Sequence, residues 1–193
     1  MYNQLITAVQ KHVSLTNDEI AAFCLPFKPH TYHKKDFLLR EGEVCNFEGF
    51  VTRGCLRIYA IDTNGYEHIL YFATEGWWIT DIDSFTTQTP SQLFIEALED
   101  SEVLQISKLE KERLYQELPI IEKLFRIMTQ KTHVALSRRM LSALSQNADE
   151  RYLGFIQKYP HLEQRLTQQQ MAAYLGISHE FLSKIRKRLS QKK

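Results

Sequence analysis

Cysteine is scarce in this chain, and its spacing excludes more than it suggests. Cys24, Cys45 and Cys55 are the only three thiols among 193 residues. Their odd number and the lack of any CxxC or Cys/His ligand spacing argue against a disulfide framework or a zinc module, and three thiolates cannot complete the shell of an iron–sulfur cluster. Reduced core thiols are expected. No apolar run is long enough to span a bilayer, and the start, MYNQLITAVQKHVSL, lacks the basic region, apolar core and small-residue cleavage site of a signal peptide, so a cytoplasmic protein is expected. Five prolines and seven glycines leave no low-complexity linker, and no internal repeat is seen. Also missing are a nucleophile elbow, a phosphate-binding glycine loop and a zinc-protease signature. His30, His33 and His68 could be imagined as ligands of a cupin-like β-barrel metalloenzyme. They lack the surrounding carboxylate and histidine pattern, so structural or surface histidines are expected, with no metal site and no catalytic residue.

What the chain does have is apolar residues, 44% of it, enough for one large or two modest domains. Thr16 with Glu19 forms a capping box that opens a short helix through Ile20, Ala21, Ala22 and Phe23 toward Pro26. From about Tyr32 to Ile106, Gly42, Gly54, Gly65 and Gly76 punctuate short runs of Val, Ile, Phe and Tyr, which predicts an all-β sandwich or barrel. Asn64-Gly65 between Leu56–Ile61 and His68–Phe72 predicts a β-hairpin with a type I′ turn or a near relative. Gln92–Leu98 and Val103–Ile106 read as two further strands.

Ser107 with Glu110 is a third capping box, and beyond it the pattern is helical almost to the end. Pro119 suits the first turn of a long helix. In it Ile120, Ile127, Val134 and Leu141 recur every seventh residue, beside Ile121, Met128 and Ala135, a broad apolar stripe of about three heptads. One face of it is expected on the β-domain, and a symmetric dimer along 120–145 is the preferred use of the rest. Asn147 with Glu150 caps the next helix, through Tyr152, Leu153, Phe155 and Ile156.

The stretch LTQQQMAAYLGISHEFLSKIRKRL, Leu166–Leu189, predicts helix, tight turn, helix. Thr167 and Gln170 form a capping box, Met171, Ala172 and Leu175 face inward, Gly176 ends the helix in a left-handed conformation and Ser178 caps the next. On that second helix Phe181, Leu182 and Ile185 are expected inward, and His179, Glu180, Ser183, Lys184 and Lys187 outward. An ordinary αα-hairpin with a solvated outer face fits this pattern too; charge separates the readings. Residues 151–193 hold nine basic and two acidic residues, net +7, whereas residues 1–150 hold 15 basic and 21 acidic, net −6. A locally basic helical end on an acidic chain suits a phosphate backbone, and the second helix has the form needed to read base edges in the major groove, with Lys187 on phosphate.

In this order of elements, and in the text LTQQQMAAYLGISHEFLSKI, the chain resembles the Crp/Fnr family of transcription regulators. The resemblance covers nearly the whole chain. It implies an α+β fold: an N-terminal antiparallel β-roll of the cyclic-nucleotide-binding jelly-roll type over residues 1–118, a long dimerisation helix over 119–146, and an all-α helix-turn-helix domain over 147–193. Many members continue into a β-wing; the sequence given ends at Lys193, so a domain lacking a C-terminal wing is expected. The resemblance further implies a homodimer, an inverted-repeat operator in double-stranded DNA, and RNA polymerase as a partner. By the same resemblance Thr167, Gln169 and Ser178 touch phosphates, and His179, Glu180 and Lys184 face the bases. Glu180 matches the family pattern, whereas His179 and Lys184 stand where arginine is frequent.

The family's nucleotide pocket uses a Gly-Glu-Leu stretch and, about ten residues on, an Arg-Ser/Thr-Ala stretch. Here Thr80, Asp81 and Ile82, then Ser91, Gln92 and Leu93, occupy those places, so Thr80, Asp81, Ser91 and Gln92 are the effector-pocket candidates. The arginine is missing. A cyclic phosphate opposite Ser91 would keep its charge without a cationic partner, so cyclic AMP binding is expected to be lost or weak, with no resident cofactor. Trp77, Trp78, Phe85 and Phe94 nearby suggest a pocket filled by aromatics or suited to an apolar ligand. A ligand-binding adaptor whose basic helices dock on an acidic protein is the competing function.

Overall fold

The computed structural model describes residues 2–191. Met1, Lys192 and Lys193 lie outside the described residues, so two of the nine C-terminal basic residues are not placed. Two compact units are present: one of residues up to Ala60 with Tyr71–Gln130, the other of Ile61–Leu70 with the chain from Lys131 onward. They divide within a long helix, whereas the sequence reading places domain limits at its two ends.

The first unit opens with α1 (Tyr2–Gln10) and α2 (Asn17–Cys24). The α2 cap is reciprocal, as expected of Thr16 and Glu19. Helix α1 was not foreseen, although Leu5 and Val9, four residues apart, are both fully buried. Strands β1 (Lys28–Tyr32), β2 (Phe37–Leu39), β3 (Phe47–Arg53), β4 (Leu56–Ile61), β5 (Glu67–Ala73), β6 (Trp78–Ile79), β7 (Phe94–Ala97) and β8 (Ser101–Ser107) form two four-stranded sheets, ordered β1-β8-β3-β6 and β2-β7-β4-β5. All the pairings resolved between these strands are antiparallel, with His30 opposite Val103, Gly49 opposite Gln105 and Ile58 opposite Ile95. One-helix interruption comes from α3 (Ile82–Thr87), inside the region read as all-β. Asp81 caps it through the Asp83 N–H, a local bond that strand periodicity does not reveal.

The turn between β4 and β5 departs from the type I′ expectation. Gly65 N–H donates to the Asp62 carbonyl (2.9 Å) and Gly65 alone takes a positive φ, 84°, while Asn64 does not. That is a type I turn closed by a left-handed glycine. The Asp62 carboxylate selects it by accepting from the N–H groups of Asn64 (2.8 Å) and Tyr66 (3.0 Å).

Helix α4 (Lys108–Glu117) follows β8. Its Ser107 hydroxyl accepts from Glu110 N–H, but the Glu110 carboxylate turns to Arg113 (3.0 Å), so half of the expected capping box forms. The core of the first unit gathers Leu5, Val9, Phe23, Phe27, Phe50, Leu104, Ile106 and Leu114 around Ile121, Leu124 and Phe125, the first turns of α5 (Pro119–Ser145).

The second unit contains the rest of α5, then α6 (Ala148–Lys158), α7 (Gln168–Leu175) and α8 (His179–Ser190). Val134, Met140, Leu141 and Leu144 of α5 are exposed, Leu144 to 80%. The heptad stripe is therefore divided: its start is built into a core and its end is open.

Candidate nucleic-acid interface and effector pocket

The helix pair is held by caps and a small apolar seam. Thr167 N–H donates to the Gln170 side chain (2.9 Å) and Gln170 N–H to the Thr167 hydroxyl (3.2 Å), which closes the box at the start of α7. Gly176, with φ 66°, ends that helix and Ser178 accepts from Phe181 N–H (3.2 Å) to begin α8. Met171, Ala172, Leu175, Leu182 and Ile185 are buried between them. Phe181 corrects the expectation: it is 45% exposed. The inward face of α8 repeats through Leu182, Ile185 and Leu189, and Phe181, a third of a turn away, falls on its flank.

His179, Glu180, Ser183, Lys184 and Lys187 are all exposed, and Glu180, Lys184 and Lys187 follow one another at helical spacing on a single face. The His179 ring sits 2.9 Å from the Glu180 carboxylate. Hydrogen bonds from the Glu180 backbone and the Ser178 hydroxyl, then the charges of His179 and Lys184, hold that carboxyl below its ordinary range. Thr167 and Gln169 lie exposed at the start of α7, and Ser178 at the start of α8. The +7 balance is partly spent inside the unit: Arg186 pairs with Glu163 (3.7 Å), which also accepts from the Tyr152 hydroxyl, and Arg188 pairs with Asp149. Among the described residues Lys184 and Lys187 make no ion pair.

In the first unit the effector candidates separate. Asp81 and Ser91 are buried and bonded to each other, the Ser91 hydroxyl donating to the Asp81 carboxylate at 2.6 Å. Asp81 also accepts from Asp83 N–H, and Ser91 from Leu93 N–H (2.9 Å). Thr80 turns away and donates to the Phe47 carbonyl (2.9 Å). Gln92 is exposed and joins none of them. Of the aromatics, Trp78 packs edge-on against Phe27, Phe50 and Phe125, and Phe85 is buried beside the Lys111 ammonium. Phe94 stacks on Tyr59, and Trp77 is 38% exposed.

Two buried ion pairs escaped the sequence reading, Lys111 with Glu48 and Arg57 with Glu96 (2.6 Å). Neither pairing has a short-range spacing that could signal it. His33 lies near Asp100 (3.7 Å), His68 bonds Asp62 (2.9 Å) and His30 stacks on Tyr32; among the described residues no three ligating side chains converge. No described helix is long and apolar enough to cross a membrane.

Residues 29–117 match the cyclic nucleotide-binding domain family. No curated protein matches the sequence. Among solved structures, the c-di-GMP responsive global regulator CLP of Xanthomonas campestris is similar with a TM-score of 0.76 at 16% identity, over 92% of this chain and 93% of that one. A protein of Eubacterium rectale described as a regulator of the crp/fnr family gives 0.70 at 14% identity, over 92% and 85%. The catabolite activator protein of Thermus thermophilus gives 0.58 at 20% identity, over 96% and 87%. Residues 29–117 thus resemble a cyclic nucleotide-binding domain, and the chain as a whole shares its fold with these regulators.

Proposed function

We propose that this protein is a sequence-specific DNA-binding transcription regulator that acts as a homodimer, is not an enzyme, and does not use cyclic AMP in the family's manner. The observation that carries this reading is the outer face of α8: an exposed Glu180–Lys184–Lys187 row on a helix whose opposite side is sealed against α7. A helix so mounted has the form that enters the major groove, with Glu180 able to accept from cytosine N4 and Lys187 suited to phosphate. His179 and Lys184 complete the base-facing set, and Thr167, Gln169 and Ser178 the phosphate-facing one.

The exposed Val134, Leu141 and Leu144 of α5 support the dimer, since an apolar stripe of this kind is suited to a second copy of the same helix. The pocket argues against cyclic AMP. Ser91, in the place of the arginine, offers no cation, and its hydroxyl is spent on the Asp81 carboxylate.

The deciding experiment offers the protein a pool of short duplexes at two salt concentrations, with and without cyclic AMP, and sequences what is retained. The expected outcome is an inverted repeat with half-sites one helical turn apart, affinity falling steeply with salt, and no effect of cyclic AMP. Glu180→Ala should then change base preference at one position per half-site, whereas Lys187→Ala should weaken all duplexes alike and lower the salt slope by about one. Equal weakening of every duplex by both variants would remove α8 as the reading helix. Retention of no duplex, with capture of an acidic protein, would favour the adaptor.

A further inference from the structure

Phe181 is the aromatic residue that the helix pair leaves in solvent. It stands in the first turn of α8, where its N–H donates to the Ser178 hydroxyl (3.2 Å), so the cap of the helix fixes its backbone. The next residue, Leu182, is fully buried against α7, while Phe181 is exposed. The other aromatics of this bundle are engaged: Phe155 meets the rings of Tyr159 (5.5 Å) and Tyr174 (5.0 Å), and Tyr152 donates to Glu163. Among the described residues the Phe181 ring meets no other ring and no cation.

A lone exposed phenylalanine is ordinary on most surfaces; here its neighbours give it meaning. On a helix the residues beside Phe181 are those three and four positions away, Ser178 behind it and Lys184 and Ile185 ahead. Ile185 is buried in the seam, whereas Ser178 and Lys184 are exposed. Long side chains on a helix lean toward its N-terminus, which lays the ring over the turn that holds Ser178. The ring therefore lies between a residue assigned to phosphate and a residue assigned to bases.

That interval has a specific chemistry. A phenyl ring can neither donate nor accept a conventional hydrogen bond, so it cannot use the polar atoms of the major groove. The one apolar feature on the base edges there is the thymine C5-methyl group. It projects at the outer margin of the base, toward its own backbone, while the oxygen and nitrogen atoms read by hydrogen bonds lie nearer the middle of the pair. A duplex held by Ser178 on phosphate and by Lys184 on a base brings such a margin to the Phe181 ring.

We propose that Phe181 reads a thymine methyl group, so that each operator half-site carries a required thymine beside the base pairs read by Glu180 and Lys184. This inference rests on the assignment of α8 as the reading helix. It adds an apolar, methyl-dependent contact to a face otherwise made of charged and polar groups. Contact with deoxyribose is the rival use of the ring, and it would carry no sequence information.

The test resynthesises the duplex retained from the pool with deoxyuridine replacing thymidine, one symmetric pair of positions at a time, and measures binding by fluorescence anisotropy. Deoxyuridine keeps every hydrogen-bonding atom and removes only the methyl. A buried methyl is worth about fourfold in affinity, so at one position the loss of both methyls should weaken the parent dimer about fifteenfold. Phe181→Ala should bind the thymine and uracil forms of that duplex equally while keeping the base preference set by Glu180. Phe181→Leu, which keeps an apolar side chain and guards against a misfolded variant, should retain part of the methyl preference. The proposal is overturned by a retained site without a constant thymine, by a parent protein indifferent to every methyl, or by Phe181→Ala keeping the preference. Equal weakening of all duplexes by Phe181→Ala would assign the ring to sugar, and unchanged affinity for all of them would place it outside the interface; either result overturns it. Each of these outcomes leaves the regulator reading standing, because duplex selection persists, whereas retention of no duplex at all removes both.

Discussion

The Ser91 hydroxyl donates a 2.6 Å hydrogen bond to the Asp81 carboxylate, and both residues are more than nine-tenths buried. The bond crosses ten residues of chain and ties the cap of α3 to the segment that leads into β7. On the proposed reading it also occupies the Ser91 hydroxyl at the position where a cyclic phosphate would need a cation. Millimolar cyclic AMP is therefore expected to leave the melting temperature unchanged in differential scanning calorimetry. Ser91→Ala should destabilise the fold by about 1–3 kcal/mol in urea titration, because the Asp81 carboxylate loses a partner while still buried.

Lys111 and Glu48 form a buried pair from α4 and β3, with the ammonium 3.9 Å above the Phe125 ring. Such a pair is costly to break and cheap to replace whole. Lys111→Met alone, which strands Glu48, should cost about 3–5 kcal/mol, while Lys111→Met with Glu48→Leu should come back close to the parent. Chemical denaturation of the two variants decides it. Equal destabilisation by both would mean the pair is held by packing against Phe125 and not by charge.

On α5 the exposed Leu141 and Leu144 give a clean handle on assembly. Leu141→Glu with Leu144→Glu should leave the far-ultraviolet spectrum intact and convert a dimer to a monomer in analytical ultracentrifugation. Affinity for an inverted-repeat duplex should fall about a hundredfold or more, as two linked half-site contacts become one.

Two phenols report on alkaline stability. Burial pushes the Tyr71 hydroxyl, which donates to the Thr80 carbonyl, far above its ordinary pKa, and burial followed by the charges of Glu48 and Glu122 does the same to Tyr115. A phenol whose pKa is raised by the fold stabilises it fully below the unfolded value, about pH 10, and that contribution is lost as pH rises beyond it. Absorbance at 295 nm should therefore show Tyr71 and Tyr115 ionising only together with loss of the near-ultraviolet signal. Smooth titration of all nine tyrosines before unfolding would refute their burial.

The helix ends were legible because capping is local chemistry. Thr16 with Glu19, Asn147 with Glu150 and Thr167 with Gln170 each close a reciprocal box within four residues, and Gly176 ends α7 because it reaches the left-handed region freely. Ser107 shows the limit of such reasoning, since Glu110 had a competing partner, Arg113, one turn away. The outward face of α8 was legible from periodicity, and Phe181 was misplaced because its angular position is borderline and only the seam with α7 decides it.

The sequence by itself determined the succession of β-domain, long helix and helical pair, the absence of an arginine at position 91 and the segregation of charge, since each depends on residue type and spacing along the chain. Tertiary structure decided the rest. It fixed which turns of α5 enter a core and which stay open, and that Asp81 and Ser91 bond each other while Gln92 turns to solvent. The pairing of Lys111 with Glu48 was also decided there. Those outcomes rest on groups separated by as many as 63 residues, and a buried charge finds its partner only when desolvation makes every alternative more costly.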